Sequence, residues 1–369
     1  MLTPGDPTPW FAARSTASPD FHFDTVGGRF IVLCFFGSAA DPAARRVLDD
    51  VAAARARFDA VNVVFFGVST DPDDERLGRV RQESPGVIYF WDFDAAVSRL
   101  YGAAPPDGSA YRPHTVVLDL AMRVLAVVPF GDDPGAHTPA LLRLLTRLPP
   151  VHTLGGFAPV LVLPRVFEPN FCRVLIGLYD QHGGRESGFM REVDGKTVGV
   201  TDHSHKRRAD YDITDPEVIK AAQARLHRRV VPEIKKAFQF NATRIERHIV
   251  ACYDAAVGGH FRPHRDNTTK GTAHRRFAVT LNLNAEEYEG GDLRFPEFGP
   301  RVYRAPTGGA VLFSCSLLHE ATPVTKGKRY AFLPFLYDEE AAKIRQANLP
   351  FIPDTAPEQQ PDVREDGAR

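Results

Sequence analysis

The chain predicts two domains of different class, an α/β domain followed by a mainly β domain with helices packed against it. Three observations predict this: 369 residues, enough for two cores of ordinary size; a strand, helix, strand pattern early in the chain; and a later switch to short apolar runs separated by glycine turns. The seam falls between residues 149 and 160, where RLPPVHTLGGFAPVLVLPRV interrupts both periodicities with proline and glycine.

In the first half, RFIVLCFF and VNVVFFGVS are continuous apolar runs of strand length. The alanine- and arginine-rich DPAARRVLDDVAAARARF between them reads as a helix, so the three make a βαβ unit. HTVVLDL follows Arg112 and Pro113 as a further strand, and MRVLAVVPF pairs with it through a short turn at Ala121. In the second half EPNFCRVLIGLYDQH and DPEVIKAAQARLHRRVVPEIKKAF carry helix signals. Asp215 is placed to cap the second with Pro216 at its first position, and Ile219, Ala222, Leu226, Val230 and Ile234 form an apolar stripe along one scaffold helix. From Arg244 onward IERHIVACYD, RRFAVTLNLN, GDLRFPEF, GGAVLFSCSLLHE and KRYAFLPFLY read as strands. They predict a double-stranded β-helix, or jelly roll, packed on those helices. The tail, residues 353–369, is proline-rich, acidic and nearly free of large apolar side chains, which predicts disorder.

A composition of 25% charged and 43% hydrophobic residues with a net charge of -1 describes a soluble globular protein and gives no electrostatic reason to expect nucleic acid. Cys34, Cys172, Cys252 and Cys315 are scattered without a C-x-x-C pair, which argues against a disulfide framework or a zinc site and for a reducing cytoplasm. The opening MLTPGDPTPWFAARS has no apolar run after a basic segment, and no stretch approaches the roughly 20 apolar residues of a membrane helix. Neither secretion nor a membrane span is expected.

The chemistry concentrates in three residues. In GGHFRPHRD, His264 and Asp266 stand two apart, so on an extended strand their side chains leave the same face. His319, in VLFSCSLLHEATPV, follows at the end of another strand-like run. Two imidazoles and a carboxylate on one face of Fe(II) leave the opposite face open for small molecules and O2. His248, His260 and His274 read as ordinary surface or core histidines. His203 and His205 in TDHSHKRR lack the third and fourth ligands that zinc requires.

The strings ACYDAAVGGHFRPHRD, VTLNLNAEEYEGGDLRFPEF, PTGGAVLF and LLHEATPVTKGKRYAFLPF, in this order, resemble the prolyl 4-hydroxylase-like branch of the Fe(II)/2-oxoglutarate dioxygenases over residues 160–338. The resemblance implies that His264, Asp266 and His319 bind iron, that Arg329 grips the distal carboxylate of 2-oxoglutarate, and that Tyr253 and Asn282 line the same pocket. A register shift of one would make Lys328 the anchor instead. Many relatives carry a tyrosine at the Asn282 position; asparagine is shorter, so its contact needs a water. Arg207 and Arg208 are candidates to reach substrate from a loop before the barrel, and one of Arg275 and Arg276 should border the pocket. The implied reaction hydroxylates an unactivated C–H bond, consumes O2 and releases succinate and CO2, with ascorbate or another reductant as an accessory. A prolyl residue in a protein, a free amino acid or another small metabolite all fit as substrate.

GDPTPWF, RFIVLCFFGSAADP, GVSTDP and YRPHTVVLD, with Pro113 where that fold keeps a cis-proline, resemble the peroxiredoxin-like form of the thioredoxin fold over residues 4–148. In that family the peroxidatic cysteine opens a helix just after the first core strand. GSAADPAARRVL has no cysteine, and Cys34 sits inside the strand between Leu33 and Phe35, where packing is its expected role. Residues 1–150 therefore read as a non-catalytic domain for docking, positioning or homodimerisation. Besides an active hydroxylase, two other readings stand: a thiol peroxidase with an accessory barrel, and a sensor or scaffold that binds iron and 2-oxoglutarate without turnover.

Overall fold

The structure, a computed structural model, describes residues 2–82 and 85–352, so the tail expected to be disordered lies outside the described residues. The chain forms two compact units. One runs to Gly156 and includes Pro296–Arg301; the other begins at Phe157, runs to Phe295 and resumes at Val302.

The first unit contains β1 (Phe30–Gly37), α1 (Pro42–Ala53), β2 (Val63–Ser69), β3 (Val87–Trp91), β4 (His114–Leu118), β5 (Val124–Pro129) and α2 (Pro134–Thr146). Its sheet runs β3-β2-β1-β4-β5, with the first three strands parallel and the last two antiparallel to their neighbours. Helix α1 starts where Asp41 accepts the N–H groups of Ala43 and Ala44 and Pro42 takes the first turn. Strand β1 is buried throughout. Val32, Cys34 and Phe36 pack with Val47, Val51 and Leu141, whereas Ile31, Leu33 and Phe35 pack with Phe23 and Tyr101. Burial on both faces is why the run is continuously apolar instead of alternating. The strand β3 and the helix α2 were not anticipated from sequence; α2 carries Pro139 in its interior, which obscures its pattern.

The second unit opens with β6 (Leu161–Leu163) and α3 (Pro169–His182), then β7 (Lys206–Arg207) and β8 (Ala209–Asp212). The expected single scaffold helix is two, α4 (Pro216–Arg229) and α5 (Val231–Phe238), because Pro232 cannot donate to the helix and takes the first turn of a new one. Its stripe survives the break: Ala222, Leu226, Val230 and Ile234 are all fully buried.

The strands are β9 (Arg244–Glu246), β10 (Ile249–Asp254), β11 (His260–His264), β12 (Phe277–Asn282), β13 (Leu293–Arg294), β14 (Ala310–Ser314), β15 (His319–Ala321), β16 (Lys328–Phe332) and β17 (Phe335–Tyr337). They fall into two sheets. The larger pairs β8 with β10, β10 with β16, β16 with β12 and β12 with β14; the smaller pairs β7 with β11, β11 with β15 and β15 with β13. Three expected runs are divided. IERHIVACYD breaks at Arg247, which holds a positive φ of 71°, and KRYAFLPFLY breaks around Pro334. GGAVLFSCSLLHE sends β14 into the larger sheet and β15 into the smaller, with the Leu317 N–H bonded to the Ser314 carbonyl between them.

Period-two alternation sorts the larger sheet's side chains. Val250, Cys252, Val279, Leu281 and Phe332 face Leu175, Leu226 and Ile234 of the helices. Ile249, Ala251, Tyr253, Ala331 and Leu333 instead pack with Phe261 and Ala321 of the smaller sheet. Each fully buried aliphatic side chain contributes about 1.5–3 kcal/mol of apolar transfer free energy, so the helix layer fixes the sheet while its other face stays available to build a site.

Candidate functional site

His264 ends β11 and His319 opens β15, and the two are register partners. Asp266 lies just beyond β11, not within it, and is held by its own N–H, which donates to the Cys315 carbonyl at 2.9 Å. The structure brings all three together: His264 Nε2 is 3.6 Å from Asp266 Oδ1, His319 Nε2 is 3.4 Å from Asp266 Oδ2, and one ligand atom from each lies within 4.8 Å of the others. Both separations are longer than an ordinary hydrogen bond and suit a cation shared among the three. His264 Nδ1–H donates to the Arg262 carbonyl at 2.7 Å and His319 Nδ1–H to the Leu317 carbonyl at 3.0 Å. Those bonds turn each Nε2 lone pair toward Asp266, as metal-bound histidines require.

Aromatic rings fix the imidazoles. Phe261 stacks on His264 at 3.5 Å between centroids, and Phe313 and Phe295 flank His319 at 4.6 and 6.2 Å. Burial and the adjacent His319 push His264 down to about 4, keeping its ring neutral and able to donate a lone pair. Burial alone would raise the Asp266 carboxyl, but His319 and His264 outweigh it and hold the group well below the usual carboxylate range. Two imidazole nitrogens and one carboxylate oxygen, without a fourth ligand among the described residues, fit an open-faced Fe(II) site better than a closed zinc site.

Across from the smaller sheet, Arg329 pairs in register with Tyr253 and Lys328 with Asp254. Alternation sends them opposite ways. The Lys328 side chain is 55% exposed and lies 3.6 Å from Asp254, whereas Arg329 is 2% exposed. Arg329 Cζ lies 4.8 Å from the Tyr253 ring centroid, and its Nε and Nη1 are buried without hydrogen-bond partners. A buried guanidinium with unmet donors is costly unless an anion meets it, so this residue fits the carboxylate of a dicarboxylic co-substrate. Gly291, at φ +66°, leaves it room: a β-carbon there would stand 3.0 Å from Arg329 Cδ and 2.8 Å from Val324.

Asn282 is buried opposite Ala331 on the same face. Its amide nitrogen is taken by the Ala305 carbonyl at 2.7 Å, leaving Oδ1 without a partner. What it offers the pocket is an acceptor, which meets a carboxylate only through an intervening donor. Tyr288, not singled out from sequence, shares the cluster with Tyr253 and Val324 and has a buried hydroxyl without a partner. Its signal was its place in YEGGDL beside the glycine that makes room for Arg329.

The remaining candidates divide. Arg207 donates to the Val257 carbonyl at an exposed position, whereas Arg208 is 8% exposed and grips Asp210 with two bonds of 2.7 and 2.6 Å. Arg275 is buried on Glu246, which also accepts from His274 at 2.6 Å; Arg276 turns away to the Ala273 carbonyl. His203 pairs with Glu186, and His205 lies against Phe189 and Phe261, where burial pushes it down to about 4. All four cysteines are buried, and burial pushes Cys34 up to about 12. Among the described residues no helix is long and apolar enough to cross a membrane.

Residues 248–337 match the 2OG-Fe(II) oxygenase superfamily, and residues 4–127 match the AhpC/TSA family. The chain therefore carries a segment similar to the AhpC/TSA family followed by one similar to the 2OG-Fe(II) oxygenase superfamily. A PKHD-type hydroxylase of Synechococcus sp. (strain JA-2-3B'a(2-13)) is 35% identical over 89 residues, covering 22% of this chain and 39% of that protein. One of Nitrosomonas europaea is 27% identical over 151 residues, covering 38% of this chain and 64% of that protein. The chain thus spans less than two thirds of the length of these relatives. Among solved structures, a Pseudomonas putida prolyl-4-hydroxylase aligns with a TM-score of 0.37 at 17% identity over 51% of this chain and 94% of that one. The peroxidoxin BcpB from Mycobacterium tuberculosis aligns with a TM-score of 0.36 at 20% identity over 40% of this chain and 99% of that one.

Proposed function

We propose that the second unit is an Fe(II)- and 2-oxoglutarate-dependent oxygenase that hydroxylates an unactivated C–H bond and releases succinate and CO2. The observation that carries the reading is a pairing: three converging ligand groups at the smaller sheet, and a buried Arg329 with Nε and Nη1 unmet on the inward face of the larger one. The two sheets are read as the halves of a double-stranded β-helix, with α3, α4 and α5 as its backing.

Iron(II) together with 2-oxoglutarate supplies, with O2, an oxidant able to break a C–H bond. The chain's own residues arrange that chemistry. His264, Asp266 and His319 would hold the metal and leave one face open, and Phe261, Phe295 and Phe313 keep water from its protein side. Arg329 would orient the co-substrate by its distal carboxylate, with Tyr253 packed on the guanidinium. Placing the target carbon, not activating it, is the protein's contribution to rate. Hydroxylases among the relatives support hydroxylation over other outcomes; a peptidyl prolyl group and a small metabolite both fit, and ascorbate would act as an accessory reductant.

The thiol peroxidase reading has no support in the buried, high-pKa Cys34. The first unit is read as a docking, positioning or homodimerising domain, and unpaired cysteines fit a cytoplasmic setting. Adding Fe(II) and 2-oxoglutarate to the apoprotein without O2 should give a visible metal-to-ligand charge-transfer band that His319→Ala lacks. Wild-type protein without the band would sink the oxygenase reading. With the band present, succinate release on adding candidate substrates separates an enzyme from a non-catalytic sensor.

A further inference from the structure

Four basic side chains on the inward side of the second unit differ in how directly carboxylates meet them. Lys206, Arg208, Arg247 and Arg275 gather there with Asp210 and Glu246. Asp210 is taken by Arg208 in a two-bond fork, and Glu246 by Arg275 and His274. Lys206 is buried and held by neutral acceptors, Ser187 Oγ at 2.8 Å and the Gly188 carbonyl.

Arg247 is different. It donates Nε and Nη2 to one backbone carbonyl, that of Leu333, at 3.3 and 3.1 Å, and among the described residues no carboxylate lies within ion-pair distance of it. Its backbone sits at φ 71°, a conformation a long side chain adopts only when its surroundings impose it. Its guanidinium shares one phenyl ring with another: Arg247 Cζ is 4.6 Å and Arg275 Cζ 4.0 Å from the Phe335 centroid. Two like charges on one ring repel, and burial together with Arg208 and Arg275 pulls Arg247 down to about 10.

This cluster belongs to the neighbourhood of the metal ligands. Arg275 adjoins Arg276, whose carbonyl accepts the Cys315 N–H at 2.9 Å, and the Cys315 carbonyl in turn accepts the Asp266 N–H at 2.9 Å. It is also separate from the co-substrate anchor. Arg247 bonds at Leu333 and stacks at Phe335, whereas Arg329 lies four and six residues earlier on the same stretch of chain, at roughly 3.3 Å per extended residue. One dicarboxylic acid reaching from Arg329 to the metal leaves the part-buried Arg247 with a backbone carbonyl as its hydrogen-bond acceptor and no anion in contact among the described residues.

We infer that the substrate carries its own carboxylate and that Arg247 receives it, with Arg275 and Arg208 reinforcing the field. The inference rests on the oxygenase reading and names its substrate class: a free amino acid, a related small organic acid or a C-terminal residue. An internal residue of a polypeptide has no such group on its backbone.

The test uses the full chain loaded with Fe(II) and saturating 2-oxoglutarate without O2, so that Arg329 is already occupied. The charge-transfer band is recorded first. N-acetylated amino acids and their C-terminal amides are then titrated as matched pairs, following the band and the melting temperature. At least one acid should perturb the band and raise the melting temperature with a Kd about tenfold or more below that of its amide, as expected for a charge-assisted contact. Arg247→Met should erase the preference and Arg247→Lys restore part of it, with the band in both variants showing that the site is folded. Equal binding, or absence of binding, by acid and amide in every pair while the band is present overturns the inference, as does a preference that persists in Arg247→Met. Loss of the wild-type band instead overturns the oxygenase reading on which it rests.

Discussion

Lys328 and Arg329 are adjacent and both basic, yet one meets solvent and Asp254 while the other is sealed against Tyr253. The difference is a half-period of a strand, and it sets distinct consequences for each residue. Arg329→Ala should raise the Kd for 2-oxoglutarate by roughly ten- to a hundredfold, the range for one charge-assisted contact, while iron still binds. Titration of the anaerobic band with co-substrate measures this, and Lys328→Ala should leave that Kd unchanged. His264→Ala, Asp266→Ala and His319→Ala should each abolish stoichiometric iron binding while the apoprotein melts cooperatively; metal retained at one ion per chain would refute the triad. Glu246 holds Arg275 and His274 together in the interior, and Glu246→Ala would leave a buried guanidinium without its carboxylate. Its expected cost is about 3–5 kcal/mol in denaturant unfolding.

At the scale of elements, what was legible in the sequence is what local chemistry dictates. The cap at Asp215, the βαβ unit and the stripe from Ala222 to Ile234 all follow from residue type and period. The H-x-D pair was legible by residue type, although Asp266 leaves the strand and is placed by its bond to the Cys315 carbonyl. What stayed hidden depends on partners distant in sequence: the break at Arg247, the transfer of the chain from β14 to β15, and the neutralisation of Arg208 by Asp210. The unit's first helix shows how such a partner acts. Glu168, at the start of α3, accepts from Arg225 and Arg229 of α4, and Arg229 first, then Arg225, hold its carboxyl down at about 2 against an ordinary 4.5. A depressed carboxylate stabilises the fold fully above its unfolded pKa and loses that contribution as pH falls toward its folded one. The difference in melting temperature between wild type and Glu168→Gln should therefore be constant above about pH 5 and shrink between 4.5 and 2. Because the Glu168 side chain is 45% exposed, added salt should also shrink it.

At the scale of the whole molecule, one unit bears the candidate chemistry, and the other, similar over residues 4–127 to the AhpC/TSA family, has no cysteine at the start of α1. Where a peroxidatic thiol would open α1, Asp41 caps the helix with its carboxylate and Ser38 donates to Asp71 at 2.6 Å. A carboxylate at that helix start satisfies the amides that would otherwise favour a thiolate. Cys34 cannot substitute for it, because the residue is fully buried, packs with Val32 and Phe36, and is raised to about 12, so almost none of it is ionised at neutral pH. Only the thiolate reacts readily with peroxide. Hydrogen peroxide followed by a sulfenic acid trap should accordingly leave Cys34 unlabelled in the native chain and label it once urea has opened the unit. Peptide mass spectrometry reads both states. Native labelling of Cys34 that matches the unfolded sample would return peroxide chemistry to the first unit, whereas protection lost only with the fold assigns the cysteine to packing.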